Sequence, residues 1–195
     1  MDKNTPNKAK RFVKSKDTGN PYHNFNHILS VLDRVQKNPL YNTLKEDERI
    51  LLDLSALFHD AGHSRFNTEE ENLAIAVSLL EEFRVSSGEL TVTESEVISE
   101  LIYATDNRNL NFVKDDDLYL MRAILKDADV TQTLIEGGEV WRNRLAEEFG
   151  LKLNKNTDLS FLESVNLLTP YGKRLADDWK IRNFPEVNNG SKQHH

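Results

Sequence analysis

The sequence predicts an all-α fold, and three observations carry that reading. Apolar residues recur at helical spacing in one segment after another, no stretch alternates convincingly with period two, and Pro and Gly punctuate the ends of the periodic runs. At 195 residues the chain is long enough to bury one core within one domain.

Residues 1–20, MDKNTPNKAKRFVKSKDTGN, are basic and lack the apolar segment of a secretory signal, so they are expected as a flexible N-terminal segment. Residues 21–184 are expected to form the helical domain. Its first helix follows Pro21, with Ile28, Val31, Leu32 and Val35 in the i, i+3, i+4, i+7 pattern and Asn38-Pro39 at its end. A second helix is expected from about Glu46 to Ala61, with Ile50, Leu51, Leu54, Leu57 and Phe58 apolar. The third covers Glu69 to Phe83 with Leu73, Ala76, Val77 and Leu80 on one face, and Ser86-Ser87-Gly88 breaks the chain after it. A fourth spans Glu94 to Thr105 and a fifth Asp115 to about Val130, followed by Gly137-Gly138. Trp141, Leu145 and Phe149, spaced i, i+4, i+8, mark another helix. A last one is expected from about Ser160 to Trp179, bent near Pro170. Residues 185–195 read as a disordered tail, whose His194 and His195 are set aside as ligands.

Composition excludes several function classes. The formal net charge of −7 argues against the broad basic surface that nucleic acids require. No apolar run approaches the ~18 residues of a membrane span, so no membrane partner is expected and a cytoplasmic protein is the default. The chain has no cysteine, which rules out disulfides and thiolate metal sites. Any metal must therefore sit on imidazole and carboxylate.

The histidines are placed for that. Every internal histidine belongs to one of two i, i+4 pairs, His23 with His27 in YHNFNHILSVL and His59 with His63 in ALFHDAGHS. On a helix such pairs share a face, and Asp60 lies only about 100° round from His59. Neutral imidazole with carboxylate suits zinc, iron, manganese or nickel, and carboxylate with water suits magnesium. A further carboxylate is needed from elsewhere, and KDADVTQT offers Asp127 and Asp129.

The order His27, His59-Asp60, Asp129 resembles the H…HD…D pattern of the HD superfamily of metal-dependent phosphohydrolases. The likeness narrows to the class I cyclic nucleotide phosphodiesterases. YHNFNH resembles their YHNxxH, HDAGH their HDxxH, and the ATD of LIYATDNRNL, DADVTQT and WRNRLAEEF resemble further motifs in family order. The resemblance runs from roughly Tyr22 to Trp179 in a shortened chain, and it implies a compact multi-helix HD-domain/phosphodiesterase-like bundle.

The resemblance also implies roles. His27, His59, Asp60 and Asp129 would bind a first metal, with Asp129 preferred over Asp127 as the Asp of the family's Ala-Asp pair, and Asp60 would bridge to a second. One or two divalent ions are implied, drawn from Mn, Mg, Zn, Fe or Ni. His23 matches the general acid and Glu148 the glutamate that holds it. His63, Glu71, Thr105 and Asp106 match positions around the second metal's water, and Gln132 matches an amide-bearing position beside the base. Two departures stand out. The family's ENHHLAV reads ENLAIAV, so Leu73 and Ala74 replace paired histidines, and a gapless match puts Ser160 where a purine-reading glutamine is usual. The implied function is hydrolysis of a cyclic nucleotide or similar small phosphodiester by metal-activated water. Alternatives are a one-metal 5'-nucleotidase releasing phosphate from nucleoside monophosphates and a non-catalytic nucleotide-binding HD module. In each case the partner is a small phosphate ester or nucleotide.

Overall fold

The structure, a computed structural model, describes residues 2–106, 116–135 and 137–185. Asp115 and the expected disordered tail beyond Pro185, with its two histidines, lie outside the described residues. Among the described residues there are nine α-helices and no strand: α1 Thr5–Ser15, α2 Phe25–Lys37, α3 Glu46–Phe58, α4 Glu69–Ser87, α5 Val92–Tyr103, α6 Tyr119–Val130, α7 Gly138–Phe149, α8 Lys155–Ser164 and α9 Pro170–Asn183. Short 3-10 turns span Pro39–Thr43 and Gln132–Leu134. None of the described helices is long and apolar enough to cross a membrane.

Local chemistry sets the helix starts. Thr68 and Thr91 each accept the backbone N–H three residues on, while Glu71 and Glu94 reach back to the threonine N–H. These reciprocal capping boxes satisfy donors that a helix start otherwise leaves open. Asn24 does the same work for α2, accepting from Asn26 N at 2.9 Å and His27 N at 3.2 Å.

Helix α3 is the centre of the molecule. Leu54, Leu57 and Phe58 face one apolar cluster with residues of α1, α2, α4 and α5, while Leu52 and Ala56 face a second with residues of α2, α5 and α6. A helix buried nearly all round is what an apolar sequence on more than one face requires. A third, smaller cluster holds Leu134, Leu162, Leu167, Ala176 and Trp179, contributed by the second 3-10 turn, α8, the segment after it and α9.

Three boundaries depart from the sequence reading. Residues 5–15, expected within a flexible segment, form α1. Its Ala9 and Val13 join the first core, and Phe12 lies 6.1 Å from Phe58 and 5.5 Å from Phe83 between ring centroids. Two of the basic side chains that suggested a solvated tail meet acids, Lys8 on Glu89 and Lys16 on Glu82. Secondly, the expected bent helix over 160–179 is two helices. Extended Val165 ends α8, and Thr169, accepting from Gly172 N, caps α9 with Pro170 in its first turn, where the missing N–H costs nothing. Thirdly, α3 stops at Phe58, and His59–Gly62 turn rather than continue the helix.

Candidate metal centre and the cavity beside it

Four side chains converge where α2, α3 and α6 meet. His27, in the first turn of α2, is wholly buried, and His59 forms the end of α3. Asp60 follows in the turn, and Asp129 stands in the last turn of α6. His27 Nε2 lies 3.0 Å from Asp60 Oδ2 and 3.4 Å from Asp129 Oδ1. His59 Nε2 lies 3.3 Å and 3.7 Å from the same two oxygens and 3.4 Å from His27 Nε2.

These distances fit a shared cation. Ligands at about 2.1 Å from an ion are separated by about 3.0 Å at right angles and about 3.4 Å in a tetrahedron. The His59 tautomer also suits it: Nδ1–H donates to Ala56 O at 2.9 Å, leaving the Nε2 lone pair facing the cluster. Electrostatics agree. Burial alone would lower the two imidazoles, but Asp60 and Asp129 outweigh it and raise His27, and His59 more strongly. Burial would raise the two carboxyls, yet the neighbouring histidines hold Asp60 well below, and Asp129 below, the usual carboxylate range. The group is built to keep positive charge at its centre.

Asp129 is held in place by a residue the sequence reading did not single out. Arg34, seven positions after His27 on the buried stripe of α2, donates Nε–H to Ala128 O at 2.9 Å and also bonds Thr131 Oγ1. Burial pushes its guanidinium down to about 10. A cation inside an otherwise apolar helical stripe was the available signal.

A second group adjoins the first. Glu148 of α7 accepts from Tyr22 N at 2.7 Å and His23 N at 3.0 Å, and its Oε1 pairs with His23 Nδ1 at 2.7 Å. Burial would raise this carboxyl, but His23 and the backbone donors outweigh it and lower it. His63 stacks on His23, centroids 3.8 Å apart and rings 11° from parallel. Asn72, buried on α4, donates to His63 Nε2 at 3.2 Å, which leaves Nδ1 to carry the proton, 3.7 Å from Asp60 Oδ1. The Asn72 side chain also bonds both N and O of Ser64, fixing the loop that bears His63. Gly62 makes the turn possible. Its φ of +72° is left-handed, and an added Cβ would stand 2.8 Å from Leu79 and 2.9 Å from Ile75. Sequence reading missed Asn72, although it lies beside the Glu71–Val77 segment's first residue and is the one polar side chain on that buried face.

A cavity of about 250 Å³ opens beside both groups, with Tyr22, His23 and Asp129 on its wall together with Thr157, Asp158 and Phe161 of α8.

The remaining expected residues go elsewhere. Asp127 points away from the cluster and accepts from Leu168 N, Thr169 N and Thr169 Oγ1, tying α6 to the start of α9. Gly172 makes room for it, since a Cβ there would lie 2.4 Å from Asp127 Oδ2. Glu71, expected near a second metal, is exposed and spent on the Thr68 capping box. Thr105 is buried and donates to Ile102 O at 2.8 Å; it belongs with Asp106 to the segment leaving α5, and Asp106 is not among the carboxylates of the two converging groups. Gln132, expected beside a base, is wholly buried and donates to Ser30 Oγ at 2.8 Å, so it is closed to a ligand. Leu73 is a core residue, Ala74 is exposed, and Ser160 is exposed on α8.

Comparison with known proteins agrees with this architecture. No family model matches the chain. It is 27% identical over 210 aligned positions to cGMP-specific 3',5'-cGMP phosphodiesterase 3 of Dictyostelium discoideum, covering 83% of this chain and 44% of that protein. The chain thus spans less than half the length of that relative. Among solved structures it is similar to the phosphodiesterase domain of the RhoPDE fusion protein from the choanoflagellate Salpingoeca rosetta, with a TM-score of 0.62, 19% identity, and coverage of 97% of this chain and 80% of that one. LmjPDEB1, solved in complex with IBMX, gives a TM-score of 0.61 at 15% identity, over 95% and 83% of the two chains. In fold, therefore, the chain resembles the class I cyclic nucleotide phosphodiesterase catalytic domains, in shortened form.

Proposed function

We propose that the chain is a metal-dependent phosphodiesterase acting on a cyclic nucleotide or similar small phosphodiester. The observation that carries this reading is the convergence of two imidazole nitrogens and two carboxylate oxygens within 4.8 Å of one another, beside the His23–Glu148 pair. The printed name of the Dictyostelium relative supports the same reaction class.

In this reading His27, His59, Asp60 and Asp129 hold a divalent cation. Such an ion lowers the pKa of water and offsets charge developing on the phosphoryl group. Leu73 and Ala74 supply no donors where the resemblance puts paired histidines, and Glu71 is turned to its cap; we infer one tightly held cation per chain. The His63 Nδ1–H, beside Asp60, orients the attacking water. As water bonds to phosphorus and releases a proton to solvent, the ester P–O bond breaks and the departing oxygen takes a proton from His23. With Nδ1 held by Glu148, that proton leaves from Nε2.

The test is direct. Protein supplied with Mn²⁺ or Mg²⁺ is expected to open cyclic AMP or cyclic GMP to a monophosphate. Phosphate release from nucleoside monophosphates with the cyclic diesters untouched would replace this reading with a nucleotidase.

A further inference from the structure

The α8 wall of the cavity carries a charge that the proposed chemistry does not use. Asp158 and Phe161, three residues apart and so on neighbouring positions of one helical face, both line the cavity. On the same helix Leu162 is buried in the third core and Ser160 is exposed, so the α8 side chains that meet the cavity are set by the helix's packing. The hydroxyl of Thr157, also on the wall, is committed to capping α8: it donates to Asn154 O at 2.7 Å and accepts from Asn154 N at 2.8 Å.

Asp158 is only 6% exposed and, among the described residues, its side chain is held by one partner, Arg142 of α7, whose Nε–H donates to Oδ2 at 2.5 Å. A carboxylate has about four lone-pair positions, so this bond fixes its orientation and leaves acceptor capacity, mainly on Oδ1. A buried, oriented acceptor with unused lone pairs selects ligands that present donors. Among nucleotide bases, guanine presents two adjacent donors, N1–H and the 2-amino group. Adenine turns a lone pair on N1 toward the same place, which a carboxylate repels. Hypoxanthine keeps N1–H but lacks the amino group.

We propose that Asp158 is the specificity-determining residue of the cavity, accepting hydrogen bonds from the N1–H and 2-amino edge of a guanine while Phe161 covers the ring. This rests on the nucleotide reading above but not on the chemical step. Arg142 acts as the positioning residue that keeps the carboxylate aimed, and it opposes the rise that burial imposes on this carboxyl.

Binding of three mononucleotides to the unaltered protein supplied with Mn²⁺, followed by calorimetry, tests it without turnover. The expected order is GMP, then IMP, then AMP, with GMP roughly 10–100-fold tighter than AMP, as befits charge-assisted bonds. Asp158→Asn keeps the side-chain size and an acceptor for Arg142, and should bring GMP and AMP to similar affinity. Equal affinities, a preference for AMP, no binding of any of the three, or a guanine preference that survives Asp158→Asn would each overturn the proposal. Should the variant fail to fold, the order on the unaltered protein decides. Guanine preference without opening of cyclic diesters removes the diesterase reading alone. Opening without base preference removes the role of Asp158 alone.

Discussion

The two ends of the cavity rest on different foundations. At one end, His27 stands on α2 and His59 at the end of α3, two helices that contribute to both larger apolar clusters, and Asp129 stands on α6, which contributes to the second. At the other, Asp158 and Phe161 stand on α8, whose buried Leu162 belongs to the small third cluster with residues of α9 and the second 3-10 turn, Val130 at the end of α6 packing against it. Side chains on well-packed helices are held closely enough for metal binding, which tolerates little displacement. A wall with its own small core can change composition without disturbing that geometry. The contrast also fits the resemblance, in which the motif residues around the metal persist and the base-reading glutamine does not.

Substitutions can separate the two ends. The largest expected effect is from Asp129→Ala: bound metal measured by elemental analysis and turnover should both fall to background, because even an outer partner of a ligand is typically worth about 10–100-fold in affinity. His23→Ala should lower kcat by about 10²–10⁴ while metal content stays unchanged, and equal turnover would remove His23 as the acid. In the third cluster, which α8 shares, Trp179→Ala should cost about 3–5 kcal/mol in urea unfolding, as a buried aromatic does, while the folded protein keeps its metal. Metal loss in that variant would break the proposed independence of the two ends. Gly62→Ala forces a left-handed backbone on a residue with a side chain, at about 1–2 kcal/mol, and should displace His63 more than His59. Thr91→Ala, far from either end, should cost about 1 kcal/mol from the lost cap of α5 and leave turnover unchanged.

The sequence made the metal end more legible than the wall. Histidines four apart and an Asp beside one of them are constrained by helix geometry, so His27, His59 and Asp60 could be placed on faces before any contact was known. Choosing Asp129 over Asp127 needed the resemblance, because both lie near the end of one helix. Coordinates add the physical reason: Asp127 is used to hold the start of α9. Glu71 misled because helix ends and metal surroundings draw on the same polar residue types. The Thr68-x-x-Glu71 spacing was itself a capping signature. Gln132 failed differently, since periodicity does not reveal that Ser30 of another helix will claim an amide. The N-terminal segment was misread from its charge, although Ala9, Phe12 and Val13 already have the spacing of a buried stripe. Thr169-Pro170 likewise carried a helix-start signature where a bend was expected.

Glu148 has a consequence of its own. It belongs to α7, yet three N–H groups from the chain just before α2 close on it, including the His23 ring. The carboxylate that orients this imidazole is thus also a rivet between two parts of the molecule. Any drift that re-aims the His23 ring through this position would also loosen the compartment next to it. Reaction rate and the size of molecule admitted are thereby inherited together, through a single side chain.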